Sequence, residues 1–411
     1  MSGMFIQRMR LAAGAAERME LAAARSIVRY QAEMYADRLW KHSGEMVWTN
    51  MAMPTEPFYA LGLTPVHMEL TAGWLSTLGL AERCIRTAEE AGVHVSLCSY
   101  HKALIGAMEL GELPPPQYAV CTSHICDGGN GMMQYFRRRF GTKTHLISVP
   151  YHPDEYGALG YVRDQIKEMM ETLSAQTGRR VDRSALALAA RRSNNQRRDW
   201  LQANNLRKTK VLFPGHLALR NLFGAAFLSG SEKGRQIARE HLSQLTALSR
   251  GKEGALAPHG PSKRILWVHF APLHAGELMR WFERSGCLIA FDITGWIYWP
   301  RLDEADPVQS FARKALSHFY LGDSRARMEL YRRVIGEFHI DALVLLAHSG
   351  CRAIPGAAWE LRQLSRRLHV PFLELPGDCI DPRGMPREQA RLRLEAFRES
   401  LLNSFEGGQS T

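Results

Sequence analysis

Short apolar runs recur along this chain with helical patterns between most of them, and that alternation restricts the fold more than any other feature. The runs are EMVWTNM (45–51), TPVHM (64–68), HVSLC (94–98), YAVCTS (118–123) and THLISV (144–149). After a long helical stretch come RILWVHF (264–270), CLIAFDI (287–293), DALVLLAH (341–348) and PFLEL (371–375). Strands that alternate with helices build a parallel sheet. These strands are mostly apolar, so both faces of each sheet need cover. The rhythm occurs twice, which predicts two doubly wound parallel-sheet α/β domains.

The boundaries follow from changes of texture. Residues 1–44 form a helical N-terminal segment, with apolar groups at helical spacing over 8–43 and Gly44 as a stop. The first α/β domain spans 45–180. A helical connector with a Gly- and Pro-containing linker, GKEGALAPHGPSK (251–263), covers 181–262. The second α/β domain runs over 263–411 and closes on a helix that starts near Pro386. Two sheets with facing carboxyl edges would leave a cleft between them.

Composition excludes some functions. No apolar run approaches the ~20 residues of a membrane span. Arg and Glu interrupt the N-terminus, so it lacks the apolar core of a secretory signal. A cytoplasmic protein without membrane contact is expected. The net charge of +11 invites nucleic acid, but the basic residues are spread along helices. The densest group, RRSNNQRRDW (191–200), reads as a solvated helix face. A phosphate-bearing small molecule suits the same charge, and no nucleic-acid partner is expected. Neither GxGxxG nor GxxxxGK[ST] occurs.

Seven scattered cysteines are not a disulfide framework. Cys84 lies in a helical pattern, Cys121 in mid-strand and Cys287 at a strand start, all positions of core residues. Cys98, Cys126, Cys351 and Cys379 lie at or just past strand ends, where open parallel sheets gather ligands. Gly128 and Gly129 follow Cys126, and Gly350 precedes Cys351. Such turns aim backbone N–H groups at a sulfur or an anion, and the helices that follow favour thiolates. Taken singly, each is an ordinary βα turn. Taken together, three thiolates can hold an iron–sulfur cluster with one iron left open. With His124 or His348 they could instead form a Cys₃His zinc site.

The segments CSYHKALIGAMELGELPPPQYAVCTSHICDGG (98–129), LISVPYHPDE (146–155), HSGCR (348–352), VPFLELPGDCIDPRG (370–384) and RLRLEAFRESL (391–401) resemble the 2-hydroxyacyl-CoA dehydratase and benzoyl-CoA reductase family. So does MPTEPFYALGLTPVHME (53–69), and the likeness runs from about 45 to 401. It implies two Rossmann-like domains with a 4Fe-4S cluster between them, held by Cys98, Cys126 and Cys351; Cys379 receives no ligand role. It implies one-electron reduction of an acyl-CoA thioester to a ketyl radical anion, leading to 2-hydroxyacyl-CoA dehydration or benzoyl-CoA-type ring reduction. It further implies a related second subunit and a separate ATP-dependent iron–sulfur activator protein. Thr55 and Glu56 resemble the family's segment near the thioester, or else form a helix N-cap with an acidic first turn. His124 and His348 flank the proposed cluster and could donate a proton or a hydrogen bond. Arg352 could tune its charge or bind a CoA phosphate. The alternative is a double-cubane electron-transfer protein without a CoA substrate. That needs about six ligand cysteines if each cubane takes three, and Cys84 and Cys287 are badly placed for it.

Overall fold

A computed structural model describes residues 3–209, 213–219, 227–251 and 262–403. Among the described residues, eight strands form two four-stranded sheets. In the first, β1 (Met46–Thr49), β2 (Thr64–His67), β3 (Tyr118–Thr122) and β4 (Lys143–Ile147) lie in the order β2-β1-β3-β4. In the second, β5 (Lys263–Val268), β6 (Cys287–Asp292), β7 (Ala342–His348) and β8 (Phe372–Gly377) lie in the order β6-β5-β7-β8. Every neighbouring pair is parallel, so the two halves repeat one arrangement.

Both faces of both sheets are packed. Val47 and Val120 of the first sheet face Val162, Ile166 and Phe311. Trp48, Val66 and Cys121 point the other way, into a cluster that also takes Trp267 and Val344 of the second sheet. One apolar core therefore runs across the two halves. Leu266 and Leu345 fill the far side of the second sheet with Tyr331 and Phe338.

In each sheet the strand order reverses between two central strands, and there the loops diverge and leave room at the carboxyl edge. In the first sheet these strands are β1, which leads to Thr55 and Glu56, and β3, which leads to His124 and Cys126. Asn50 ties the two ends by donating to the Thr122 carbonyl at 3.0 Å. In the second sheet they are β5, which leads to His269, and β7, which leads to His348 and Cys351.

One expected strand is absent. Residues 94–98 form a loop, and Cys98 is the N-cap residue of the helix Ser99–Glu109. The His94 ring nitrogen Nδ1 lies 2.8 Å from the Ser96 hydroxyl and accepts the Ser96 N–H at 3.2 Å. This local turn takes the bonds a ladder would need, and Val95 stays 67% exposed. The N-terminal segment is a helix pair, Met4–Ala16 and Ala22–Glu33. Phe5, Met9 and Tyr35 bury into the shared core. The expected linker lies mostly at 252–261, outside the described residues. No described helix is long and apolar enough to cross a membrane.

Candidate active site

Cys126 is the N-cap residue of the helix Asp127–Phe140, and the nearby N–H groups of Gly128 and Gly129 pull its thiol down. The N–H of Tyr100 acts on Cys98 in the same direction, and those of Ala353 and Ile354 on Cys351. Cys98 and Cys126 thus sit at helix starts, where unpaired N–H groups favour negative charge, and Cys351 sits in the turn that leads into the short helix Pro355–Ala357. They also feel one another. Cys126 and Cys351 both raise the Cys98 thiol, and Cys351 raises Cys126. Burial is the largest cause of each upward shift. Cys126 is exposed as a residue, yet its thiol is enclosed enough for burial to dominate.

The halves meet at this point without room to spare. A β-carbon on Gly350 would lie 2.6 Å from the Cys98 α-carbon. One on Gly128 would lie 2.6 Å from the His101 ring and 3.2 Å from the Cys126 sulfur. His101 Nε2 is itself 3.6 Å from that sulfur. His348 Nε2 lies 3.3 Å from the Cys98 sulfur. Burial lowers both histidines, His101 to about 4, so both rings are neutral near pH 7.

The remaining cysteines fall where their elements place them. Cys84, Cys121 and Cys287 belong to the shared core. Cys379 is fully buried, with its sulfur 3.4 Å from His269 Nδ1. Burial raises its thiol most, and Asp378, Cys98 and Cys351 push it in the same direction.

Among the described residues, no three His, Cys, Asp or Glu side chains converge tightly enough for a single metal ion. With backbone N–H groups near each sulfur and a Gly where a β-carbon would intrude, three thiolates are a donor set that fits an iron–sulfur cluster.

Beside the thiols lies an aromatic pocket of about 70 Å³, lined by Trp200, Trp296, Tyr298, Trp299, Phe319 and Tyr320 among others. Phe319 and Trp296 pack in the same cluster as Cys351 and Ile125. Pocket-lining His318 stacks edge-on against His124 at 5.6 Å. His124 is buried, neither ring nitrogen has a partner among the described residues, and burial lowers it to about 4.

Thr55 lines the pocket and Glu56 lies directly behind it. Thr55 occupies an N-cap position but does not cap; its hydroxyl donates to the Ser229 carbonyl at 2.7 Å. Glu56 is fully buried, and its Oε1 accepts from Lys314 Nζ at 2.6 Å and from the Ser193 hydroxyl at 2.7 Å. Its Oε2 has no partner among the described residues. Lys314 also lines the pocket, 4.5 Å from the centre of the Trp299 ring. Burial lowers Lys314, and Glu56 partly restores it.

Sequence reading missed Lys314, His318 and Tyr320. The density of aromatic residues in WIYWP (296–300) and SHFY (317–320) is the signal that could have marked this wall. It also missed Arg327, which donates to the Ala353 carbonyl at 2.7 Å and lies 5.2 Å from the Tyr320 ring. Arg352 is exposed and makes no ion pair among the described residues. In the basic cluster, Arg191 pairs with Glu304, Arg192 with Glu232 and Arg198 with Asp199, and Arg197 donates to the Trp299 carbonyl. Those charges serve the fold itself.

The proteins this chain is similar to are, by name, subunits of enzymes acting on CoA thioesters. The alpha subunit of (R)-phenyllactyl-CoA dehydratase from Clostridium sporogenes is 22% identical over 384 residues, covering 88% of this chain and 91% of that one. A benzoyl-CoA reductase subunit from Thauera aromatica is 23% identical over 346 residues, covering 76% and 78%. The alpha subunit of lactoyl-CoA dehydratase from Anaerotignum propionicum is 19% identical over 393 residues, covering 88% and 92%. The class is therefore an enzyme component of the dehydratase and benzoyl-CoA reductase type. Residues 50–401 match the family described as 2-hydroxyglutaryl-CoA dehydratase, D-component, and the chain belongs to that family.

Proposed function

We propose that this chain is the iron–sulfur subunit of an enzyme that reduces an acyl-CoA thioester by one electron, for 2-hydroxyacyl-CoA dehydration or benzoyl-CoA-type ring reduction. The observation that carries this reading is the gathering of three thiols within electrostatic reach, each with backbone N–H groups nearby, beside an aromatic pocket. Cys98, Cys126 and Cys351 would hold a 4Fe-4S cluster. Bound in this way, such a cluster supplies single electrons and an iron with Lewis acidity.

The chain's own groups do the rest. Backbone N–H groups of two helix starts and of the turn after Cys351 favour the thiolates. Trp296, Trp299 and Phe319 exclude water from the acyl group. The Thr55 oxygen keeps lone pairs for a substrate donor. Glu56 holds Lys314 at the pocket wall, and His124, with neither ring nitrogen partnered among the described residues, can hold or deliver a proton. A related second subunit, an ATP-dependent iron–sulfur activator and a cytoplasmic setting accompany this reading. Its supports are the subunit names of the relatives and the absence of a nucleotide-phosphate motif in this sequence. The repeated strand order likewise favours two Rossmann-like domains within the proposed limits of 45–180 and 263–411.

Iron and sulfide analysis after oxygen-free purification tests the proposal. About four of each per chain is expected. Cys126→Ser bleaches most visible absorption, and Cys121→Ser leaves it. A colourless wild type, or two variants that both keep a full cluster, overturns the ligand assignment. Iron near eight supports the double-cubane reading instead.

A further inference from the structure

The side chain of His348 lies between the two halves of the molecule, and its two ring nitrogens have different partners. Nδ1 accepts the backbone N–H of Cys379 at 3.2 Å. A neutral imidazole that accepts at one nitrogen carries its proton on the other. Nε2 is therefore the donor, and it faces the Cys98 sulfur at 3.3 Å. Only 1% of the residue is exposed, so no water competes for that bond.

The tautomer is held from several sides. The nearer Asp378 oxygen, Oδ2, lies 3.6 Å from Nδ1, beyond hydrogen-bond distance, while Oδ1 accepts the Ser99 hydroxyl at 2.7 Å and the N–H groups of Ile380 and Asp381 at 2.7 and 2.8 Å. Those bonds fix the turn that presents the Cys379 N–H. Tyr100 packs edge-on against the His348 ring at 5.7 Å, and His269 stacks on it at 5.7 Å. The ring is thus clamped with one N–H aimed at one sulfur.

We infer that His348 is a positioning residue that donates a hydrogen bond to the Cys98 thiolate and raises the reduction potential of the cluster held there. This rests on the cluster reading above. A donor at a ligand sulfur withdraws charge from the cluster and stabilises its reduced, more negative form. The bond comes from a residue on β7, whereas Cys98 starts a helix of the other half, so it also ties the cluster's environment to the contact between the halves.

Two variants separate the roles of the two nitrogens. In His348→Asn the side-chain oxygen can stand where Nδ1 accepts from Cys379, but nothing reaches the sulfur. In His348→Gln the amide N–H can stand where Nε2 donates. Both are made in the full chain, purified without oxygen with any partner subunit that copurifies. Cluster content is read by iron analysis, and the midpoint potential by dye-mediated titration followed by EPR. The expected result is a full cluster in both, a downward shift in midpoint for His348→Asn, and a midpoint for His348→Gln close to wild type. Equal midpoints in all three proteins, or an equal shift in both variants, overturn the inference while the cluster reading stands. Wild type without iron overturns the cluster reading itself. If His348→Asn does not fold, a shifted midpoint in His348→Ser with recovery in His348→Gln supports the inference, and an unshifted one defeats it.

Discussion

Gly350 and Cys98, 252 positions apart, meet so closely that a methyl group on the glycine would sit 2.6 Å from the Cys98 α-carbon. The obstacle is backbone, which cannot swing aside as a side chain can. Gly350→Ala should therefore part the turn after β7 from the helix start at Ser99, at a cost of about 1–3 kcal/mol. If Cys98 and Cys351 share a ligand, iron per chain falls with it. Gly356→Ala is the control, because nothing lies within 4 Å of its added carbon. Urea unfolding and iron analysis of both variants decide the matter; indistinguishable results would remove the steric argument.

The Glu56–Lys314 pair makes a second prediction, about stability. Both side chains are nearly inaccessible, at 0% and 5% exposure. Removing one partner strands a charge, which costs about 3–5 kcal/mol. Lys314→Met should show that loss in urea unfolding, whereas Glu56→Leu with Lys314→Met should recover most of it. A single-variant loss below about 1 kcal/mol would mean that the surviving charge finds another partner.

Acid stability should depend on buried histidines. His241 is fully buried between Trp200 and Phe213, with neither nitrogen partnered among the described residues. Burial, aided by Arg207, lowers it to about 3. The unfolded chain then binds the proton more readily than the fold, so stability rises with pH between about 3 and 6.5. This contribution is complete above 6.5 and is lost as the pH falls. Between pH 7 and 5 the single site removes about 2 kcal/mol. His241→Leu should lose that much less than wild type over the same interval. Parallel pH profiles would show that the ring reaches solvent.

How much of this was legible varies with the range of the interaction. DALVLLAH and RILWVHF announce themselves because a parallel strand covered on two faces must be apolar throughout. HVSLC has similar composition, but a side-chain turn at His94 and Ser96 overrides it, and short apolar runs give no warning of that. The spacing of Cys126 before Asp-Gly-Gly reads correctly as a helix start. Lys314 does not read at all, since its partner Glu56 is 258 positions away and only the sheet topology brings them together. His348 was visible as a neighbour of Cys351, but its bond is to Cys98, across the two halves.

The pocket supplies its own reporter, because Trp200, Trp296 and Trp299 all line it. If the acyl end of a CoA thioester enters there, binding should quench indole emission, and free CoA should quench far less. Trp299 also carries the Lys314 ammonium on its face at 4.5 Å. Trp299→Leu removes a ring contact worth about 0.5–1.5 kcal/mol beyond its area, so thioester affinity should fall several-fold to about tenfold. The titration is done without oxygen, with benzoyl-CoA and a 2-hydroxyacyl-CoA as probes. Equal quenching by free CoA would place the bound molecule elsewhere, and undiminished affinity in Trp299→Leu would take this wall out of acyl recognition.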